Sequence, residues 1–266
     1  MNNVLPQLSE LDALRRRIAQ VDSSSYAPVS ADLATGHADL DAALHGGLGQ
    51  GKLHEFYASS IDDAPCTAGF AAMLALRIDP GPKALLWLRT EAAERAMGKL
   101  YMPGLTELGG DPDRFILAVL PDDKLLLRTA ADAGACSGLG ALVVECWGKM
   151  PLLTLTASRR LALVAEKSGV TLFLLRIDAD PVPSAASTRW SISAAPSIAM
   201  ARNAPGHTMI QVELLRRRKG PAGMSWQMEW NRDERAFRKP ALPGAVAAIS
   251  RHRPADPHGK DVRRSA

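Results

Sequence analysis

Apolar residues recur along the middle of the chain in two alternating patterns. Short, nearly continuous apolar runs are typical of buried strands, and longer segments with an apolar residue every three to four positions are typical of amphipathic helices. The predicted strands are KLHEFYA (52–58), KALLWLR (83–89), RFILAVLP (114–121), ALVVECW (141–147) and VTLFLLR (170–176). The predicted helices between and after them cover 67–78, 91–101, 123–136 and 153–168. Strands this apolar on both faces belong in a sheet that helices cover on two sides, so the pattern predicts a mostly parallel, three-layer α/β core.

The pattern changes after residue 188. The segments TRWSISAAPS (188–197), TMIQVELLRR (208–217) and SWQMEWN (225–231) alternate apolar and polar residues, and the Gly/Pro-rich RRKGPAG separates the last two. Alternation of this kind predicts strands, and the intervening segment predicts a hairpin turn. We therefore expect these strands to extend the sheet in antiparallel fashion.

The two ends of the chain differ from this core. A predicted amphipathic helix (9–21) begins near Ser9, and its apolar stripe contacts either a partner protein or the chain's own core. The stripe consists of Leu11, Leu14, Ile18 and Val21. From Arg238 onward proline, glycine and basic residues dominate, which is typical of a segment without regular structure. The predicted organisation is an N-terminal helix and linker (1–30), an α/β domain (31–237) and a basic tail (238–266).

Positive charge is concentrated near the C-terminal end. The chain has 266 residues, of which 47% are apolar, and its net charge is +4. Residues 216–266 contain 13 of the 32 Lys and Arg side chains but only 5 of the 28 Asp and Glu side chains. A basic end is typical of proteins that contact nucleic acid or an acidic partner, and a solvated tail has the same composition. The densest cluster falls at the predicted hairpin end and is a candidate contact for DNA or a partner; it consists of Arg216, Arg217, Arg218 and Lys219.

The spacing of cysteine and histidine argues against disulfide and metal sites. The 3 cysteines form no Cys-x-x-Cys pair, and the 6 histidines show no spacing typical of zinc ligands. We therefore expect no metal or other cofactor and a reducing, cytoplasmic location. No apolar run approaches the roughly 18 residues that a membrane span needs, and the N-terminal sequence lacks the pattern of a secretory signal, so no membrane contact is expected.

The first strand-to-helix loop is where a parallel α/β sheet would bind a ligand. In this chain the loop reads ASSIDDAPCT (58–67). A P-loop would need glycines that bring backbone N–H groups onto the phosphates, a lysine for the terminal phosphates and a Ser or Thr for magnesium. This loop has no glycine and no lysine, and Asp62 and Asp63 would repel a triphosphate. The sequence therefore predicts a loop without the chemistry of a P-loop.

The residues around this loop nevertheless resemble RecA recombinases. The segment TGHADLDAALHGGLGQGKLHEFY (35–57) is similar to the segment that leads into the RecA P-loop. Glu91, in WLRTEAAE, stands at the position of the RecA catalytic glutamate, and Glu145, in ALVVE, stands at the position of the Walker B aspartate. The resemblance follows residues 35–176 in order and spacing. Its N-terminal matching positions are Thr35, Gly36, Leu40, Asp41, Gly46, Gly47, Leu48, Gly51 and Glu55.

The C-terminal part narrows this resemblance. TRWSISAAPS followed by VELLRRRKGPAGMSWQMEW resembles the ImuA family, RecA-like proteins without a P-loop that are encoded in bacterial mutagenesis operons. The resemblance implies a RecA-like fold with a degenerate P-loop and a non-enzymatic accessory role in damage-induced, error-prone translesion DNA synthesis, or SOS mutagenesis. The implied partners are ImuB, which is a catalytically inactive Y-family polymerase homologue, and RecA. An error-prone DNA polymerase III alpha-type subunit is implied as an indirect partner.

Two other functions stay open at the level of sequence. One is a degenerate but active RecA-like ATPase with an unconventional phosphate cradle, and the missing glycines and lysine argue against it. The other is a cell-division inhibitor of the SulA type, since SulA-type proteins are the nearest relatives with the same lost P-loop. The basic tail and the ImuA-like hairpin argue against that function.

Several residues have two interpretations each. Glu91 is either a catalytic base or the first residue of a helix, and Glu145 either holds magnesium or has a structural role. Because the loop has no cradle for a phosphate, we expect the second role for each, as relics of a nucleotide site. Arg189 and Arg202 lie where RecA-like folds place DNA-contacting loops and are candidate DNA contacts. Cys146 is either a nucleophile or a small core residue, and we expect the latter. Three tryptophans either stack bases or pack within the sheet, and packing is favoured; they are Trp190, Trp226 and Trp230.

Overall fold

The computed structural model describes residues 32–58, 60–78, 83–197 and 206–240 of the chain. The strands in this part are β1 (Asp32–Leu33), β2 (Leu48–Gly49), β3 (Leu53–Ala58), β4 (Ala84–Thr90), β5 (Phe115–Leu120), β6 (Leu139–Trp147), β7 (Thr171–Ile177), β8 (Thr188–Ala194), β9 (Met209–Arg217), β10 (Met224–Asn231) and β11 (Ala236–Arg238). The helices are α1 (Ala38–Leu44), α2 (Ala64–Arg77), α3 (Glu91–Met97), α4 (Met102–Glu107), α5 (Asp123–Gly134) and α6 (Leu155–Ser168). The predicted helix 9–21 with its apolar stripe, Arg202 and the tail beyond residue 240 lie outside the described residues.

Nine of the described strands form one sheet, in the order β11-β10-β9-β8-β3-β7-β6-β4-β5. The strands from β8 to β5 in this order are parallel to one another, whereas β9, β10 and β11 continue the sheet in antiparallel fashion. The predicted α/β fold, a mostly parallel sheet with an antiparallel C-terminal extension, is confirmed. The extension begins one strand later than predicted, because β8 pairs in parallel with β3.

Helices cover the two faces of the sheet and bury two apolar cores. Helix α2 lies on one face, where the rings of Phe70 and Phe56 pack with centroids 5.1 Å apart. Helices α5 and α6 lie on the other face, where Leu126 and Leu161 belong to the same buried core as Leu174 of β7. Each fully buried side chain of this size contributes about 1.5–3 kcal/mol of transfer free energy. The architecture is thus the three-layer one that the strand pattern predicts.

Polar residues at three strand-to-helix junctions determine where helices begin. At each junction the side chain before the helix accepts a hydrogen bond from the backbone N–H three residues on and so caps the helix. The caps are Thr90 for α3 (3.2 Å), Asp122 for α5 (2.7 Å) and Thr154 for α6 (3.2 Å). Helix α3 is shorter than the predicted 91–101, because Gly98 follows it with a φ of 77°. In the described ranges, no helix combines the length and the apolarity that crossing a membrane requires.

Strand β5 forms one edge of the large sheet and is less buried than its sequence predicts. It pairs only with β4 in the described part of the chain, and Ile116, Leu117 and Val119 remain exposed. The expectation that helices cover both faces of every apolar strand does not hold here. A strand's own apolarity does not reveal whether the topology places it at the centre or at the edge of a sheet.

The segment that leads into β3 has a structural role. Both oxygens of Asp41 accept hydrogen bonds, Oδ1 from the N–H and the hydroxyl of Thr35 at 2.8 Å each and Oδ2 from the N–H of Gly36 at 2.9 Å. Gly36, with a φ of 92°, lies so close to β11 that an added Cβ would be 2.8 Å from the carbonyl oxygen of Phe237. Residues that carry the resemblance to RecA therefore hold α1 against the sheet in this chain.

Candidate functional site

The loop between β3 and α2 lies at the carboxyl edge of the parallel strands, where such sheets bind ligands. Residues 61–63 form a short 3-10 turn, and α2 begins at Ala64 with Pro65 in its first turn. The Oδ1 atom of Asp63 accepts the backbone N–H of Ala194 at 3.0 Å. An anion at this helix start would meet carboxylates, and Pro65 supplies no N–H. This end of α2 is unsuited to a phosphate.

Glu145, near the end of β6, is the centre of a buried hydrogen-bonded network. Its Oε1 accepts from Nη2 of Arg89 at 3.2 Å and from Nε1 of Trp147 at 2.7 Å, and its Oε2 accepts from Nε1 of Trp87 at 3.0 Å. The side chains of Arg89 and Glu145 are 3% and 7% exposed. Protein donors occupy both carboxylate oxygens and a guanidinium compensates the charge. The geometry is therefore that of a structural ion pair and differs from that of a carboxylate that holds a hydrated metal ion.

Arg89 connects this network to helix α3. Its Nη1 donates to the carbonyl of Gly98 at 3.0 Å, and its Nη2 donates to the carbonyl of Ala93 at 3.1 Å. The sequence pattern points to Glu145 but not to Arg89 or the two tryptophans. The sequence does contain a signal for Arg89, because an arginine in the apolar strand KALLWLR needs an acceptor or a carboxylate partner once it is buried.

Glu91 lies at the surface, apart from the Glu145 network. It is the first residue of α3, where the positive end of the helix favours a carboxylate. Its Oε2 accepts from Nη1 of Arg95 at 3.4 Å, and its side chain is 56% exposed. Glu91 therefore occupies the helix-start position that the sequence analysis favours over catalysis.

A cavity of about 400 Å³ opens beside the Arg89–Glu145 pair. Small residues of α2, among them Ala68 and Ala72, form one wall, and residues 97–108 form the opposite wall. The lining is mainly apolar, whereas a phosphate would need several N–H groups and cations. The cavity therefore fits an apolar group better than a nucleotide phosphate.

Comparison with solved structures identifies the architecture. The crystal structure of the RadB recombinase is similar to this chain with a TM-score of 0.53 and 18% sequence identity, over 78% of this chain and 99% of that chain. The fold is RecA-like. At this level of identity the similarity establishes the fold alone. No protein-family model and no curated protein matches the sequence.

Arg189 lies inside the RecA-like fold. Its Nε donates to Oε2 of the fully buried Glu55 at 3.0 Å, and its Nη2 donates to the carbonyl of Val182. The guanidinium groups of Arg189 and Arg176 both lie over the ring of Tyr57, each 5.5 Å from its centroid. The expectation that Arg189 contacts DNA or a partner does not agree with this burial, because its guanidinium is paired inside the sheet. A charged side chain in a strand can pair within the sheet as well as face a ligand.

The basic cluster lies at the hairpin between β9 and β10, as the sequence predicts. This hairpin is at the amino edge of the parallel strands of the RecA-like sheet, opposite Glu145, because Arg217 pairs with Thr188 at the start of β8. Arg216 donates to a backbone carbonyl at 3.2 Å, and Arg217 donates to two carbonyls at the end of α1, both at 2.8 Å. Arg218 and Lys219 are exposed.

The tryptophans and Cys146 pack within the fold. Trp190 and Trp230 are buried, and the half-buried Trp226 contacts Trp190 with ring centroids 6.2 Å apart. Burial raises the pKa of the Cys146 thiol to about 12, so this thiol stays protonated at neutral pH. These environments agree with the packing interpretation of each residue.

His54 of β3 is buried as a neutral imidazole. Its Nε2 lies 2.8 Å from the carbonyl oxygen of Gly49 and must donate to it, so Nδ1 accepts from the hydroxyl of Thr188 at 2.7 Å. That hydroxyl accepts in turn from Nε1 of Trp190 at 2.7 Å. Burial lowers the pKa of His54 to about 4, and the hydrogen bond to Gly49 only partly offsets this effect.

We expect the free energy of unfolding to decrease as the pH falls below the ordinary histidine pKa. The unfolded chain protonates His54 near pH 6.5, whereas the folded chain protonates it only near 4. Stability is therefore fully present above the unfolded pKa and is lost on acidification toward 4, by up to about 1.4 kcal/mol per pH unit from this group. Urea unfolding of the wild type and His54→Gln across this window measures the difference in slope. Equal slopes for the two proteins would contradict the assignment.

Proposed function

We propose that this chain is a non-enzymatic accessory protein in damage-induced, error-prone translesion DNA synthesis. It acts through contacts with an ImuB-like inactive Y-family polymerase homologue and, beyond that partner, with RecA and DNA. An error-prone DNA polymerase III alpha-type subunit joins through the ImuB-like protein. The proposal combines the RecA-like fold with the ImuA-like strands and hairpin between residues 188 and 231.

The non-enzymatic part of the proposal rests on the hydrogen bonds that Glu145 accepts. By the resemblance of the sequence to RecA, Glu145 stands at the position of the Walker B aspartate, which binds the metal ion. In this chain Arg89, Trp87 and Trp147 donate hydrogen bonds to both of its carboxylate oxygens. The neighbouring loop carries Asp62 and Asp63 where a P-loop would carry glycines and a lysine. A domain with these features retains the RecA-like scaffold as a surface for protein contacts.

A matched pair of carboxylate variants tests this proposal in cells. We expect deletion of the gene to lower the frequency of damage-induced mutations, and we expect Glu91→Gln and Glu94→Gln to restore it equally to the wild-type level. Both residues lie on the first turn of α3, and only Glu91 stands at the position of a catalytic base. Loss of mutagenesis with Glu91→Gln alone would favour the ATPase alternative. Normal mutagenesis in the deletion strain, with altered cell division instead, would favour the SulA-like alternative.

A further inference from the structure

A second cavity, of about 300 Å³, lies at the amino edge of the parallel strands. Its lining includes Lys52, just before β3, and Arg217, Arg218 and Lys219 of the β9–β10 hairpin. Neutral polar residues form part of its lining, including Ser187 and Thr188. We call this basic cavity and its rim the amino-edge site.

The amino-edge site carries an excess of positive charge. Lys52 Nζ and Arg218 Nη1 lie 3.2 and 3.8 Å from the same oxygen, Oε1 of Glu166, so two cations share one carboxylate. Arg217 donates to uncharged backbone carbonyls and keeps its full charge. Asp32 adds a second carboxylate, so among the described residues four cationic side chains, including Lys219, stand beside the carboxylates of Glu166 and Asp32.

The positive groups come from separate segments of the chain at this sheet edge. Lys52 Nζ and Arg218 Nη1 lie within about 7 Å of each other, because both are close to Oε1 of Glu166, and Arg217 and Lys219 line the same cavity. Several cations around one cavity match a nucleic-acid strand, which presents a phosphate at each nucleotide, better than they match one acidic side chain.

We propose that the amino-edge site binds the phosphate backbone of DNA, with Lys52, Arg218 and Lys219 as its main contacts. The choice of DNA over an acidic peptide rests on the proposed function as well as on the number of cations around the cavity. The described lining includes Gly47, Gly49 and Ser187, and it offers backbone and small polar groups more than side chains that read base edges. Binding is therefore independent of sequence and steeply dependent on salt.

Two triple variants of the full chain test this proposal with equal changes in net charge. Lys52→Gln/Arg218→Gln/Lys219→Gln removes the main contacts, and Arg95→Gln/Lys124→Gln/Arg128→Gln removes three exposed cations from α3 and α5. The probe is a fluorescein-labelled single strand of about 30 nucleotides, followed by anisotropy from about 50 mM salt upward. We expect the first variant to bind at least about tenfold more weakly and to lower the slope of log affinity against log salt by about 2. The second is expected to stay close to the wild type, and both should keep the wild-type Tm.

Three outcomes would overturn the proposal. They are no binding of DNA by the wild type at low salt, equal losses in both variants, and competition by poly-glutamate as effective as that by unlabelled DNA. Because the assay uses the purified chain without a partner, its failure leaves the mutagenesis test of the proposed function unaffected. Conversely, a chain that binds DNA here but is dispensable for mutagenesis would contradict only the proposed function.

Discussion

Replacing Arg89 by methionine is expected to lower the free energy of unfolding by about 3–5 kcal/mol. The variant keeps an apolar stem of similar length but leaves the carboxylate of Glu145 buried without a cation. Only the Nε1 donors of Trp87 and Trp147 would remain on that carboxylate. The variant also removes the donors to the carbonyls of Ala93 in α3 and of Gly98 just after it, so two hydrogen bonds between β4 and this segment are lost. Chemical denaturation at neutral pH measures the change.

A surface pair and a double variant serve as controls for this prediction. Arg95→Met breaks the ion pair with Glu91, in which the arginine is 72% exposed, and should cost less than about 1 kcal/mol. Arg89→Met/Glu145→Gln removes the unpaired charge and keeps an acceptor for a tryptophan, so it should be more stable than Arg89→Met alone. An Arg89→Met protein as stable as Arg95→Met, or a double variant less stable than the single one, would contradict the account of the buried pair.

Replacing Gly47 by alanine is expected to cost about 3 kcal/mol or more. Gly47 has a φ of 125°, a conformation that residues with a side chain rarely adopt. An added Cβ would lie 2.1 Å from the carbonyl oxygen of Leu33, so the backbone of β1 would have to move. That movement disturbs the pairing of Leu33 with Leu48, both of which are buried. Thermal and urea unfolding measure the loss.

Gly69 provides the matched control for Gly47. It lies within α2, and an added Cβ would meet no atom within 4 Å. Gly69→Ala should therefore stabilise the chain by about 0.5–1 kcal/mol, since alanine favours a helix. Equal stabilities of the two variants would show that the tight turn at Gly47 is not a constraint.

The layers of the fold follow from the sequence because each depends on local patterns. Apolar runs of strand length and helical periodicity identify the five parallel strands from β3 to β7 and four of the five described α-helices between them; the short helix α4 (Met102–Glu107) is missed. The Gly/Pro-rich turn after Lys219 identifies the hairpin. The edge position of β5 does not follow, because it depends on which strands pair, and this choice is made by the whole topology.

The partners of charged residues in strands are harder to predict than their positions. Glu145 stands at the end of an apolar strand and is visible in the sequence, but its pairing with Arg89 depends on β4 lying next to β6. The same holds for Glu55 and Arg189, which come together because β8 pairs in parallel with β3. Opposite charges in separate apolar strands indicate that ion pairs form, and the order of the strands in the sheet decides which residues pair with each other.

Purification of the tagged full chain from DNA-damaged cells, without added nucleotide, tests the central claim most directly. Mass spectrometry of the recovered proteins should identify an inactive Y-family polymerase homologue in amounts comparable to the tagged chain, and tagging that partner should recover this chain in return. Recovery of a tubulin-like cell-division protein, the partner that the SulA-like alternative would bind, would contradict a nucleotide-independent scaffold in lesion bypass. Recovery of the polymerase homologue only when ATP is supplied would contradict it as well.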